Sequence, residues 1–415
     1  MSMTKARFAL ALFLTGMLAI HAGAWWRLRR PIALGYPDFT IFYSAGKMVR
    51  SGMAHQLYDE TVEWQVQQQV APQVAVRSAP LPYMHAPFEA LLFVPFSYFS
   101  YPTAYLLWNA VSLAMLIGVC ALLRTFCPAL QPYRTLWAFS FLAYFPAFLS
   151  MLEGQDTILL LLIYVLVFVS LKKGSPFVAG CLLAVALFRV HLVIPFLLLM
   201  LLLSKWRLAA GFFMTAAGLA GISAALVGFR ALLQYPGYIW SLEHQRGRAI
   251  FPPRLSVSLR GLAEGVLPSW FSSYAVLFMV LIVSMVALFL LAWKWHGRRE
   301  SEVLDLLFSL ALIFVLLVGY HTMLYDLTLL LLPISLVVNR AFADRPREGA
   351  QRAALFVPIA LFFFTPVYMI LWTRNWEQSN LMAFMLLAWA VAIWREIVRA
   401  ESISRAENIP VRAAV

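Results

Sequence analysis

A chain of 415 residues that is 62% hydrophobic and only 12% charged lies far from the roughly 25% charged residues of a soluble globular domain, which excludes a soluble enzyme and leaves a polytopic membrane protein. Its 32 Lys and Arg outnumber its 19 Asp and Glu, but membrane proteins concentrate basic residues in cytoplasmic loops, so the excess gives no reason to expect nucleic acid as a partner. Three cysteines, Cys120, Cys127 and Cys181, lie in or beside apolar runs; they read as small apolar packing residues rather than a disulfide framework or a metal set.

Apolar runs follow one another from end to end, so the sequence predicts a single membrane domain over residues 1–415. The first run, residues 8 to 26, follows Lys5 and Arg7 as a signal peptide would, yet it ends in Trp25, Trp26 and Arg27 rather than in small residues. At about 19 residues it is long enough to cross a bilayer, and we read it as a retained helix. A long outer loop is expected at 27–102. It holds DFTIFYSAGKMVRSGMAHQLYD (38 to 59), a Gln-rich WQVQQQ, and LPYMHAPFEALLFVPFSYFSYP. Aromatics and prolines at that density predict short juxtamembrane helices lying along the interface.

Further apolar runs span 103 to 123, 135 to 151, 156 to 171, 177 to 188, 190 to 204, 208 to 228, 270 to 292, 303 to 319, 323 to 339, 354 to 371 and 379 to 397. The fold class expected is therefore an all-α polytopic bundle of about twelve transmembrane helices. Lys and Arg near helix ends stay on the cytoplasmic side. A cytoplasmic amino terminus puts Lys5/Arg7, Arg124/Arg134, Lys172/Lys173, Lys205/Arg207, Lys294/Arg298/Arg299 and Arg340/Arg345/Arg347/Arg352 inside, with a basic tail at 398–415. Loops 27–102 and 229–269 then lie outside. This orientation requires 177–204 to form a hairpin turning near Phe188-Arg189-Val190-His191, with each arm shorter than the roughly 20 residues of a full crossing. The alternative is one long crossing there, with an extra helix at 88 to 100, against which Pro95 argues.

An ionisable residue at membrane depth is expensive and by default marks a functional site. Four places qualify: Asp38 to Asp59, Glu153-Gly154-Gln155-Asp156, Arg189 with His191, and His321 with Asp326. In the expected topology all map to outer helix ends or the outer loop, where they could share one cavity. Asp38 follows Gly35-Tyr36-Pro37 and precedes Phe39 and Tyr43, so it is either a helix N-cap or a base. Asp59, in a more ordinary solvated setting, reads as support. His321 shares a polar cluster with Tyr320, Tyr325 and Asp326. Arg189 either snorkels to an interface or binds phosphate, whose oxygens a guanidinium matches in pairs. No GxxxxGK[ST], HExxH or CxxC occurs, which leaves soluble nucleotide chemistry and zinc hydrolysis without support.

The order Asp38-Phe39, Tyr43, Ala45, Gly52, Leu57-Tyr58, then Tyr83 and Ala86-Pro87-Phe88 with Pro95 and Trp108, then Gly154-Gln155, then His321, Tyr325-Asp326-Leu327 and Leu330 resembles glycosyltransferase family 87. The resemblance runs over roughly residues 10 to 340. Families of this kind have the GT-C fold and move sugars from polyprenyl-phosphate-linked donors to lipid or glycan acceptors; they include bacterial mannosyltransferases of the cell envelope. The resemblance implies a hexosyltransferase in a bacterial cell membrane with its active site on the outer face. It makes Asp38 the catalytic base, His321 its catalytic assistant, and Arg189, Gln155, Tyr43, Asp59, His191 and Tyr325 the substrate-binding set. Many family members carry lysine where this chain has Arg189, so charge is kept but the exchange is not neutral.

The residues themselves fit such a reaction. A free Asp, with a pKa of roughly 3.9, is ionised at neutral pH and can accept the acceptor hydroxyl's proton, while Arg189 would stabilise the departing phosphate. An inverting single displacement follows, and this set does not require a metal or other cofactor. The alternative is a secondary transporter or lipid-linked-sugar flippase, which intramembrane ions and short broken segments would also suit. The absence of an internal repeat, and polar groups at outer ends rather than the midplane, weigh against it.

Overall fold

The computed structural model describes residues 3–74, 80–244, 256–267, 271, 273–296, 300–343, 349–373 and 381–407. Among them every regular element is helical. Helix α1 (Met3–Leu34) overruns its expected end at residue 26, because nothing breaks it before Gly35, whose φ of +95° turns the chain. Then come α2 (Phe39–Arg50), α3 (Glu60–Val70) and α4 (Pro87–Phe93), the last opened by Pro87, whose missing N–H costs nothing in a first turn. They are followed by α5 (Tyr101–Arg124), α6 (Arg134–Ala143), α7 (Phe145–Glu153), α8 (Thr157–Lys172), α9 (Pro176–Val185), α10 (Val190–Leu202) and α11 (Trp206–Val227). Helices α12 (Phe229–His244) and α13 (Leu259–Val266) occupy the expected second loop, α12 leading up to residues outside the described set. The chain closes with α14 (Ser273–Trp295), α15 (Glu300–Val318), α16 (Leu331–Ala343), α17 (Gly349–Phe363), α18 (Thr365–Thr373) and α19 (Leu381–Glu407). Thus α19 carries helix well into the expected tail, of which 408–415 lie outside the described residues.

Seven helices among the described residues are long and apolar enough to cross a membrane, or up to nine if each of two bent pairs is one span. The pairs are α6 with α7, bent by 46°, and α17 with α18, bent by 66°. The expected twelve are not confirmed among the described residues, and two places account for the difference. Helix α8, at 16 residues, is apolar but shorter than a full span, and in α15 the apolar stretch is Leu304–Val318. The expected hairpin at 177–204 is a single 27-residue stretch, Pro176–Leu202, joined through a 3-10 turn at Ala186–Arg189. Its halves differ in their main partners, α9 packing on α11 and α8, and α10 on α15 and α14 with a smaller contact to α11. Lys172 and Lys205 consequently flank opposite ends of one stretch, and Arg189 sits in its middle, at the 3-10 turn from which α10 starts.

Helices α9 and α11 touch backbone to backbone. A side chain on Gly180 would run into the carbonyl of Leu208, and one on Gly211 into that of Phe177. Small residues facing each other in this way let apolar helices approach closely where lipid provides no hydrophobic drive.

Two apolar cores result. The larger gathers α8, α9, α10, α15, α16 and α19 around residues such as Phe168, Phe196, Phe308 and Trp389. The smaller lies between α2, α4 and the first turns of α5, where Phe42 and Trp108 both pack against the Phe93 ring, each with its centroid 4.8 Å away. Buried aromatic pairs of this kind add to area burial. The α7–α8 junction belongs to both cores, with Leu152 in the smaller and Ile158 in the larger. The polar residues of interest lie along that seam.

Replacing Gly180 with Val should force α9 and α11 apart and cost about 1–3 kcal/mol. Thermal melts in detergent are expected to show a clear loss against wild type, and an unchanged midpoint would contradict the backbone contact.

Candidate active site

Gly154 ends α7 in the left-handed region (φ 66°, ψ 34°), and a side chain there would meet Phe39 Cβ at 2.6 Å. This tight exit presses the Gln155-Asp156 pair between α2 and the Ala186–Arg189 turn. Gln155 Nε2 donates to Asp38 Oδ2 at 2.7 Å, and Gln155 Oε1 accepts from Arg189 Nη2. Asp38 and Arg189 are thereby linked through one amide. Asp38 precedes α2 but its side chain caps nothing. Its backbone N–H donates to Glu153 Oε2 at 3.3 Å.

Arg189 is buried, and its charge is met at once. Nε donates to Asp156 Oδ1 at 2.8 Å, Nη2 reaches the same oxygen, and Nη1 faces Asp326 Oδ1 at 3.8 Å, beyond hydrogen-bond range. The Tyr325 ring centroid lies 5.5 Å from the guanidinium carbon. Asp326 Oδ2 accepts from the Met323 N–H at 2.7 Å and so shapes the turn that opens the next 3-10 segment, Leu324–Leu330.

Across the seam, His85 Nδ1 stands 2.9 Å from Glu89 Oε2 and 3.8 Å from Asp156 Oδ2. The segment carrying His85 is held from several sides. Tyr58 donates to the His85 carbonyl at 2.8 Å, Tyr235 of α12 to that of Met84 at 2.8 Å, and the Tyr83 N–H to Glu63 Oε1 at 2.9 Å. Burial, then the Arg189 charge, pushes His85 down to about 3, so its imidazole is neutral. Burial, reinforced by the neighbouring Asp156 charge, drives Glu89 far above the usual carboxylate range. Asp156 would rise by burial alone, but the Arg189 charge and hydrogen bonds from its neighbours keep it below its ordinary value.

Of the residues expected from the sequence, Asp38, Gln155, Arg189 and Tyr325 form one connected group. His191, on the first turn of α10, has its Nε2 buried with no hydrogen-bond partner. His321 stacks beside Tyr320, with 6.3 Å between ring centroids. Its turn is clamped by α13 and the segment before it: the Val257 N–H donates to the Thr322 carbonyl at 2.8 Å, and Arg260 of α13 lies 4.0 Å over the Tyr320 ring. Two expected residues are turned to other work. Tyr43 donates its hydroxyl to the Phe99 carbonyl at 2.7 Å, and Asp59 is exposed and caps α3 through the N–H groups of Thr61 and Val62. His85 and Glu89 were not anticipated as site residues. A signal for them existed, since His and Glu four residues apart around a Pro-opened turn share a face.

A multi-pass helical membrane protein whose buried seam links a carboxylate to a fixed cation has the equipment for group transfer within a bilayer. Residues 83–319, more than half of the chain, match the model of glycosyltransferase family 87, and the chain belongs to that family. It is a membrane glycosyltransferase. The matched stretch includes His85, Glu89, Gln155, Asp156, Arg189 and His191, whereas Asp38, Tyr43, Asp59, His321 and Tyr325 lie outside it. No curated protein matches the chain.

Glu63 gives this region a pH dependence. Burial raises its carboxyl from 4.5 to about 8, offset in part by the Tyr83 N–H. Between those values the folded protein holds a proton that the unfolded chain has lost. Its stability must therefore fall as pH rises from 4.5 and level off above about 8. Glu63→Gln keeps the acceptor for Tyr83 and should abolish this slope. Melting points from pH 5 to 8 are expected to drop by roughly several degrees more in wild type than in the variant, and parallel profiles would contradict the assignment.

Proposed function

We propose that this protein moves a hexose such as mannose from a polyprenyl-phosphate-linked carrier to a lipid or glycan acceptor on the outer face of a bacterial cell membrane. The reaction is a single inverting displacement. Asp38 Oδ accepts the acceptor hydroxyl's proton as the hydroxyl oxygen attacks the anomeric carbon, and the lipid phosphate leaves with the electron pair of the broken C–O bond. His321, with His191 beside it, assists at the leaving side. Arg189 steadies the phosphate through Nη1, which lies 3.8 Å from Asp326 Oδ1, beyond hydrogen-bond range.

The observation that carries this reading is the Gln155 bridge, with its amide nitrogen on Asp38 and its amide oxygen on Arg189. A base and a phosphate-binding cation must act on opposite sides of the same anomeric carbon, and a shared amide fixes their separation. A mid-stretch Arg189 would also suit a transporter's coupling site, but membership of a glycosyltransferase family weighs for transfer.

Asp38→Asn should lower sugar transfer from a polyprenyl-phosphate donor by about 10²–10⁴-fold without lowering the melting point. Radiolabelled transfer by purified protein in liposomes reads this directly. Undiminished transfer would move the base elsewhere, and uptake of donor without any new glycosidic product would replace the whole reading. Gln155→Ala should leave the base present but loosely held. A loss of about tenfold or more in kcat at a modest change in KM is expected, and wild-type kinetics would remove the bridge from the mechanism.

A further inference from the structure

Asp156 faces two ways. Its Oδ1 takes the Arg189 guanidinium, whereas its Oδ2 is buried with no hydrogen-bond partner and points to His85. Glu89 repeats the pattern: Oε2 lies 2.9 Å from His85 Nδ1, and Oε1 is buried with no hydrogen-bond partner. Both carboxylates are almost completely enclosed, Glu89 at 2% and Asp156 at 0% exposure. One atom from each of His85, Glu89 and Asp156 falls within 4.8 Å of the others. Around an octahedral ion with bonds of about 2.1 Å, neighbouring ligand atoms are about 3 Å apart and opposite ones about 4.2 Å. The 2.9 Å between His85 and Glu89 already matches neighbouring ligands, whereas the 3.8 Å between His85 and Asp156 would have to close by about 0.8 Å. The imidazole also hydrogen-bonds the Phe188 carbonyl, the kind of outer contact that fixes a ligating histidine's ring and tautomer.

We propose that His85, Glu89 and Asp156 form a binding site for a hard divalent cation. One imidazole nitrogen with two carboxylates favours Mn²⁺ over Ca²⁺, which takes oxygen ligands alone. The remaining coordination positions are open to water or to a phosphate oxygen. The cation's role at the donor phosphate rests on the function proposed above; its binding rests on these three side chains. Metal independence was expected from the sequence because Arg189 supplied the positive charge. In the folded protein that charge is already shared with Asp156 and Gln155.

The test is equilibrium binding of Mn²⁺ to metal-free, full-length protein in nanodiscs, with free Mn²⁺ followed by electron paramagnetic resonance. One saturable site per chain is expected, weakened at least about tenfold by His85→Ala and, separately, by Glu89→Gln. Asp156 stays intact in both variants because its loss would leave Arg189 buried without its partner, and melting curves establish that each variant is folded. No saturable binding by wild type, or the same affinity in wild type and a folded variant, would overturn the site. Saturable, ligand-dependent binding by a protein that transfers no sugar would uphold the site and remove only its assigned role.

Discussion

A guanidinium does not lose its charge in a protein, so burying one obliges the fold to surround it with acceptors. Arg189 is that group here, 5% exposed at the 3-10 turn in the middle of an apolar stretch. Losing the partner of such a charge typically costs about 3–5 kcal/mol, enough to consume much of a domain's net stability. Asp156 meets most of the demand, Gln155 adds an oxygen, and Asp326 completes the far side. Because Gln155 has a second polar end, the same obligation extends to Asp38. The proposed base is held in place by the pairing of a cation on a different helix.

The surrounding architecture serves this junction. The left-handed exit at Gly154 brings Gln155 and Asp156 against α2 in a space where a side chain would collide with Phe39. The 3-10 turn between α9 and α10 interrupts an otherwise continuous apolar stretch where Arg189 must leave it. The close α9–α11 contact anchors one arm of that stretch. From the other side, α12 fastens the His85 segment through Tyr235, and the segment before α13 fastens the His321 turn through Val257. The elements that position the seam therefore come from both expected outer loops as well as from the bundle.

Much of this was legible in the sequence because expense is visible there. Arg189, Asp38, Gln155 and Tyr325 stood out as polar groups among apolar residues, and the structure joins them. The long apolar helices and the short helices between α1 and α5 were equally readable from run length and from proline and aromatic density. Topology was harder. Lys172/Lys173 and Lys205/Arg207 look like two cytoplasmic anchors and so call for a hairpin. Lys172, however, is engaged in an ion pair with Asp305, so its charge has a local explanation, and the intervening 27 residues form one stretch. Tyr43 and Asp59 illustrate the opposite limit, for a polar residue near a site can be spent on a backbone carbonyl or a helix cap. His85 and Glu89 escaped notice because HAPFE reads as part of an amphipathic surface segment. Only tertiary packing shows that this segment turns inward and meets Asp156.

The central claim is that Gln155 acts through Asp38, and a double-mutant cycle on single-turnover sugar transfer tests it most directly. With Asp38 replaced by Asn, the further change Gln155→Ala should cost almost nothing, because the group it positions has already been removed. If the two losses instead multiply, Gln155 and Asp38 act independently, and the linked seam is not the catalytic unit.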